Sequence, residues 1–217
     1  MKKHLILLLS ALLLPLWGCI QEGTYTASNV EGIVTVRGTD LITDAGVQYS
    51  ITEDATGETD WKVDGTRCFV IFDIINASLD IRLKYAEPLQ IIELLPLDEE
   101  ETYPEDPVYL EFNQLSGNHI DMGITIYKAK DSNYAHRLLF RYKEDTERKM
   151  LHLYLYHDGN DENPSIMSDK SLENETLFYT LPMDKFDVTS VDLTTFVLMN
   201  NPDGGSPIVE SYTYNSR

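Results

Sequence analysis

The sequence predicts an all-β protein, a small N-terminal barrel followed by a C-terminal antiparallel β-sandwich. Three observations carry this. Apolar and polar residues alternate at a period of two along most of the chain, as half-buried strands require. Gly, Pro, Asn and Asp punctuate these runs at short intervals, as turns do. The helical period of about 3.6 residues is not sustained after the N-terminal apolar run.

In order, Gly32 to Val36 is short and β-branched, and Val47 to Thr52 follows a turn at Gly46. Arg67 to Asn76 is apolar at both parities, which predicts a central strand covered on two sides. Ile81, Leu83 and Tyr85 alternate with Arg82 and Lys84, the pattern of a half-exposed strand. Leu89 to Leu95 is bounded by Pro88 and Pro96 and is expected as the fifth strand of a closed barrel spanning 30–96. The next stretch, 97–106, is acidic and contains Pro104. Mutual repulsion and restricted backbone predict a solvated linker there.

The remaining residues, 107–217, repeat the strand signal at greater length. Val108 to Phe112 comes first. Ile120, Met122, Ile124 and Ile126 then alternate with Asp121, Gly123, Thr125 and Tyr127. Tyr134 to Tyr142 places Leu138, Phe140 and Tyr142 on one face. Leu151, Leu153 and Leu155 oppose His152, Tyr154 and Tyr156. A polar loop, Asp158 to Glu175, is expected to hold a helical turn near Lys170 to Asn174. Leu177 to Leu181, Val191 to Met199 and Ile208 to Tyr214 close the series.

The N-terminus carries an address. Lys2 and Lys3 precede a twelve-residue apolar run, Leu5 to Leu16. That suits a secretory signal and falls short of the roughly 20 residues of a spanning helix. The run ends Leu16-Trp17-Gly18-Cys19, similar to a bacterial lipobox, although Trp17 stands where a smaller residue is usual. Residues 1–18 are read as a lipoprotein signal peptide and Cys19 as the lipidated residue, followed by a tether through residue 29. An ordinary secreted protein would need a small-x-small cleavage site, and Leu16 sits where the first small residue belongs. Two or more acyl chains anchor stably, whereas one does not. The expected partner is therefore a membrane, reached through the N-terminal lipid, and the expected location is the cell envelope at the outer membrane.

Charge narrows the partners. The chain has 17 basic and 36 acidic residues, and losing Lys2 and Lys3 leaves 15 against 36, a formal charge of −21. Such a surface repels phosphate backbones, so nucleic acid is excluded as a partner. A protein or peptide partner fits. With Cys19 lipidated, Cys68 stands alone in an apolar run and is read as a buried, inert thiol.

No motif carries catalysis: Gly-x-Ser-x-Gly, His-Glu-x-x-His and a phosphate loop are all missing from the sequence. No cofactor is implied, and no catalytic residue is assigned. His152, His157, Asp158 and Asp161 are metal-ligand types, but His152 and His157 have opposite parity on one strand and do not converge. Asp158 to Glu162 opens like a calcium loop, yet Asn163 replaces the required Gly and Asp169 the terminal Glu, so no metal is assigned. His152, Tyr154 and Tyr156 form a stripe opposite the leucines. Such a stripe either covers the second face of a sandwich or recognises a partner, and it is the candidate binding surface.

Several stretches together resemble the NigD-like family of lipoproteins. They are the lipobox with its tether, Gly32-Ile33-Val34-Thr35-Val36, Asp64-Gly65-Thr66-Arg67, and Asp106-Pro107-Val108. His136 and the run Leu153-Tyr154-Leu155-Tyr156-His157-Asp158 leading to Asp161 and Pro164 complete them. The resemblance implies an OB-like barrel before a β-sandwich, and a cell-envelope protein that acts by binding, with bacteriocin immunity as its role. It supplies no active site. The alternatives are a structural or accessory subunit of an envelope complex, and an enzyme whose site is dispersed along the chain.

Overall fold

The computed structural model describes residues 26–167, 171–199 and 208–216. Cys19 and the signal segment lie outside them. Among the described residues the chain is all-β, with fourteen strands and a 3₁₀ turn at Asp60–Lys62. The first five are β1 (Ala27–Arg37), β2 (Asp40–Ile42), β3 (Gln48–Asp54), β4 (Arg67–Ile74) and β5 (Asp80–Pro88). They close a barrel in the order β1-β2-β3-β5-β4. Val34, Val36, Cys68, Val70, Ile81 and Leu83 point into it, at most 2% exposed. Burial pushes the Cys68 thiol up to about 12, so it stays protonated and inert, as the sequence reading held.

Two expectations about this half change. Residues 27–29, expected in the tether, belong to β1, which begins at Ala27 and pairs it with Ile74. The run Leu89 to Leu95 is not the barrel's fifth strand. It divides into β6 (Gln90–Ile91) and β7 (Leu94–Pro96), which join sheets of the C-terminal half. The barrel closes instead through β2, three residues that supply only Leu41 to the core and show no repeating pattern.

The later strands are β8 (Tyr109–Ser116), β9 (His119–Ala129), β10 (Arg137–Asp145), β11 (Met150–Asp158), β12 (Leu172–Pro182), β13 (Ser190–Met199) and β14 (Ile208–Ser216). They make a five-stranded sheet, β14-β13-β11-β10-β7, and a four-stranded sheet, β6-β12-β9-β8. Ile120, Met122 and Ile124 of β9 share one core with Leu151, Leu153 and Leu155 of β11. The sheets are not purely antiparallel as expected. β11 runs parallel to β13, β10 to β7, and β12 to β6. Of the helical turn expected near Lys170 to Asn174, Lys170 lies outside the described residues, Ser171 is in 3₁₀ conformation, and β12 is paired from Leu172.

The acidic stretch 97–106 is not a free linker either. The Leu97 amide donates to the Tyr142 carbonyl at 2.8 Å, and the Asp106 amide to the His157 carbonyl at 3.1 Å. Glu99 pairs with Lys143. Asp98 to Glu101 and Glu105 face solvent, while the backbone, Tyr103 and the half-buried Asp106 hold the stretch against β10, β11 and the loop after β11.

The barrel packs against the outer side of the four-stranded sheet. Phe69 of β4 stacks on Phe178 of β12 with centroids 4.5 Å apart and planes 8° apart, and Phe112 of β8 lies 6.2 Å from both. Arg67, 7% exposed, reaches across to Asp121, which is fully buried. β9 is buried on both faces from Ile120 to Ile126, Asp121 and Thr125 included, so its alternation of apolar and polar residues does not separate a core face from a solvent face. Gly123 makes room for the stack: a Cβ there would lie 2.6 Å from the Phe112 ring. Gly123→Val is expected to displace Phe112 and lower stability by about 2 kcal/mol. Thermal unfolding measures the loss, and adding Phe112→Ala is expected to return part of it.

Candidate functional site

His152, Tyr154 and Tyr156 lie on the outer face of the five-stranded sheet, each half-buried, while Leu151, Leu153 and Leu155 point into the core. The parity argument therefore holds along β11. Register places His152 beside Lys143 and Asp192, and Tyr154 beside Arg141 and Thr194. The Tyr154 and Tyr156 rings are parallel within 5°, with centroids 6.3 Å apart.

Tyr103 completes the stripe and was missed in the sequence. Its ring stacks on Tyr156 at 4.5 Å, and the Arg141 guanidinium sits 5.2 Å from the Tyr103 centroid. One signal was available: Tyr103 is the sole aromatic in the acidic run, out of keeping with a purely solvated linker. Burial raises the Tyr156 pKa, with the neighbouring tyrosines adding to it, so the phenol stays neutral. His152 Nδ1 lies 3.4 Å from Asp192 Oδ2, and Asp192 Oδ1 is buried without a hydrogen-bond partner. This surface carries ring faces, a guanidinium and a His–carboxylate pair, which equips it for stacking and hydrogen bonding.

His157 faces away from His152 and is 2% exposed. Its Nε2 lies 3.1 Å from His136 Nδ1, and His136 Nε2 lies 3.2 Å from Glu162 Oε2. Glu162 also accepts hydrogen bonds from the Ala129 amide at 2.7 Å and the Ser132 hydroxyl at 2.5 Å. Burial opposes the Glu162 charge, but these donors outweigh it and hold the carboxyl at about 2. Burial, with His136 adding to it, pushes the His157 pKa below the ordinary histidine value. The cluster ties the loop before β10 to the loop after β11. Asp158 accepts from Tyr134 and Arg137, and the Asp161 amide donates to Asp106 at 3.4 Å. Among the described residues no three His, Cys, Asp or Glu side chains are grouped to hold a metal ion. Nor is any helix among them long and apolar enough to cross a membrane.

No family model and no curated protein matches this sequence. Solved structures do match. A NigD-like immunity protein from Bacteroides caccae superposes with a TM-score of 0.56 at 16% identity, covering 88% of this chain and 97% of its own. A protein of unknown function from Bacteroides vulgatus gives 0.57 at 14% identity, covering 88% and 91%. A candidate lipoprotein from Bacteroides fragilis gives 0.52 at 13% identity, covering 86% and 97%. At these identities the likeness is one of fold, and it runs through both the barrel and the paired sheets. The resemblance read from the sequence thus extends to three dimensions: the chain has the fold of a NigD-like protein.

Proposed function

We propose that this chain is a cell-envelope lipoprotein of NigD-like type that acts by binding a protein or peptide, without catalysis. In this reading the barrel is OB-like, the paired sheets are a β-sandwich, and Cys19 carries the lipid that holds both at the outer membrane. The observation that carries the binding role is the aromatic surface Tyr103–Tyr156–Tyr154 with Arg141. It sits on the sheet face turned away from the core and leaves Tyr154 and Tyr156 half-exposed beside Arg141. Bacteriocin immunity is the specific role, and the NigD-like immunity protein of the same fold supports it.

The test is cross-linking in intact cells, comparing the native chain with Tyr154→Ala. The variant is expected to fold and to lose the captured partner; unchanged capture would overturn the assignment of this face. Immunity predicts that deleting the gene sensitises cells to a rival's toxin and that Tyr154→Ala fails to restore protection. Unaltered killing would instead favour an accessory subunit of an envelope complex. The anchor is tested separately. Cys19→Ala is expected to leave an unprocessed chain that cannot be labelled with a radioactive fatty acid such as palmitate, and labelling equal to the native chain would refute lipidation at Cys19.

A further inference from the structure

The junction of the barrel with the four-stranded sheet is not filled throughout. There, β1 and β4 on one side and β8 on the other leave a cleft of about 240 Å³ lined by Glu31, Gly32, Ile33, Phe69, Phe112 and Gln114. Strand parity builds it. On β8, Phe112, Gln114 and Ser116 fall two apart and face the barrel: Phe112 joins the ring stack, Ser116 bonds Asp44, and Gln114 between them meets open space. On β1 and β4, Ile33 pairs with Phe69, and both are half-exposed.

We propose that this cleft takes the cationic side chain, arginine or lysine, of a basic polypeptide partner. Three observations converge. Its size is below the roughly 300–1,000 Å³ of pockets for drug-sized ligands, and suits one long side chain. Phe69 and Phe112 line it and are both incompletely buried, so an entering cation meets aromatic rings, whose quadrupoles attract it. Its rim carries Glu31, exposed and in no ion pair among the described residues, while the whole chain carries a formal charge of −19 that draws a basic partner in. The one cation nearby on the same parity of β4, Arg67, is already neutralised by Asp44 and Asp121 and leaves the cleft acidic. A neutral side chain would forgo both the carboxylate and the ring quadrupole, and an anion would meet repulsion.

The cleft is remote in sequence and strand from Tyr103, Tyr154 and Tyr156, so its test is independent of theirs. An acetylated Gly-Ser peptide with one central arginine is titrated into the lipid-free folded chain and followed by NMR. Shifts are expected at the Ile33 methyls and the Phe112 ring. Glu31→Gln and Phe112→Leu are each expected to weaken binding about fivefold, with unchanged thermal unfolding for Glu31→Gln. Glu147→Gln, the same charge loss in a remote exposed turn, is expected to leave it within error. The same peptide with citrulline in place of arginine is expected not to shift these signals. Equal weakening by Glu147→Gln would mean that net charge alone attracts the peptide, and equal binding of the citrulline peptide would mean an apolar slot indifferent to charge. Either result overturns the proposal.

Discussion

Replacing Arg67 with methionine is expected to destabilise the chain by about 4 kcal/mol, because it strands a fully buried carboxylate. Asp121 is 0% exposed, and its remaining partner would be the Thr180 hydroxyl at 2.7 Å. Arg67 now satisfies two acids at once. Its Nε and one terminal nitrogen reach Asp121, while its terminal nitrogens engage Asp44 at 2.8 and 2.9 Å. Burial works against the Arg67 charge, but hydrogen bonds to Asp44 and Asp121 outweigh it and raise the pKa. Asp44 is held at about 2, chiefly by Arg67. Lysine offers a point charge in place of a planar fork, so Arg67→Lys is expected to rescue little. The double variant Arg67→Met, Asp121→Leu removes both ends of the buried pair and is expected to regain much of the loss. Thermal or urea unfolding decides it. A single variant within about 1 kcal/mol of the native chain would show that the barrel and the sheet do not depend on this pair.

The residues of that junction explain why part of the fold was legible in the sequence and part was not. Strand existence was legible wherever one face is buried, because Leu151, Leu153 and Leu155 or Ile81 and Leu83 leave a period of two. Asp121 and Thr125 share that period with the truly exposed face; Arg67 of the docked barrel covers Asp121, and Glu111 and Thr176 of the neighbouring strands bond Thr125. A pattern local to one strand carries no information about what covers its second side. The same limit hid the short strands. Gln90–Ile91 and Leu94–Pro96 hold too few residues to show which sheet they join, and that choice is made by pairing with Tyr179 and Phe140, about 50 to 90 residues away. The candidate site was half legible. His152, Tyr154 and Tyr156 follow from parity on one strand, whereas Tyr103 comes from a loop whose acidity masked its backbone docking. The His136–His157–Glu162 cluster joins the loop before β10 to the end of β11 and the loop after it, and the sequence names its members one by one without showing that they meet.

That cluster sets the response to acid. Glu162→Ala is expected to cost about 3 kcal/mol, since it leaves two half-buried donors, the Ala129 amide and the Ser132 hydroxyl, without their acceptor. For a chain of this length that is a fall of roughly 10 °C in Tm. The native chain should show the same dependence through pH. His157 binds its proton more weakly when folded than when unfolded, so the unfolded state takes up the extra proton as pH falls below the ordinary value of 6.5. Stability is therefore full above that value and declines on the acid side of it. Glu162 adds a second stage: its carboxyl, ordinarily near 4.5, is held at about 2 in the fold, so its contribution persists at neutral pH and is lost between those values. His157→Gln should remove the first stage and keep the second, and Glu162→Gln should do the reverse. Both are read from urea midpoints between pH 8 and pH 3. A native midpoint that stays flat from pH 7 to pH 5 would overturn the account of His157. The loops this cluster ties together flank β10 and β11, the strands that carry Arg141, Tyr154 and Tyr156. Its loss at low pH should therefore loosen the candidate binding face before the barrel, where Arg67 keeps Asp44 ionised down to about pH 2.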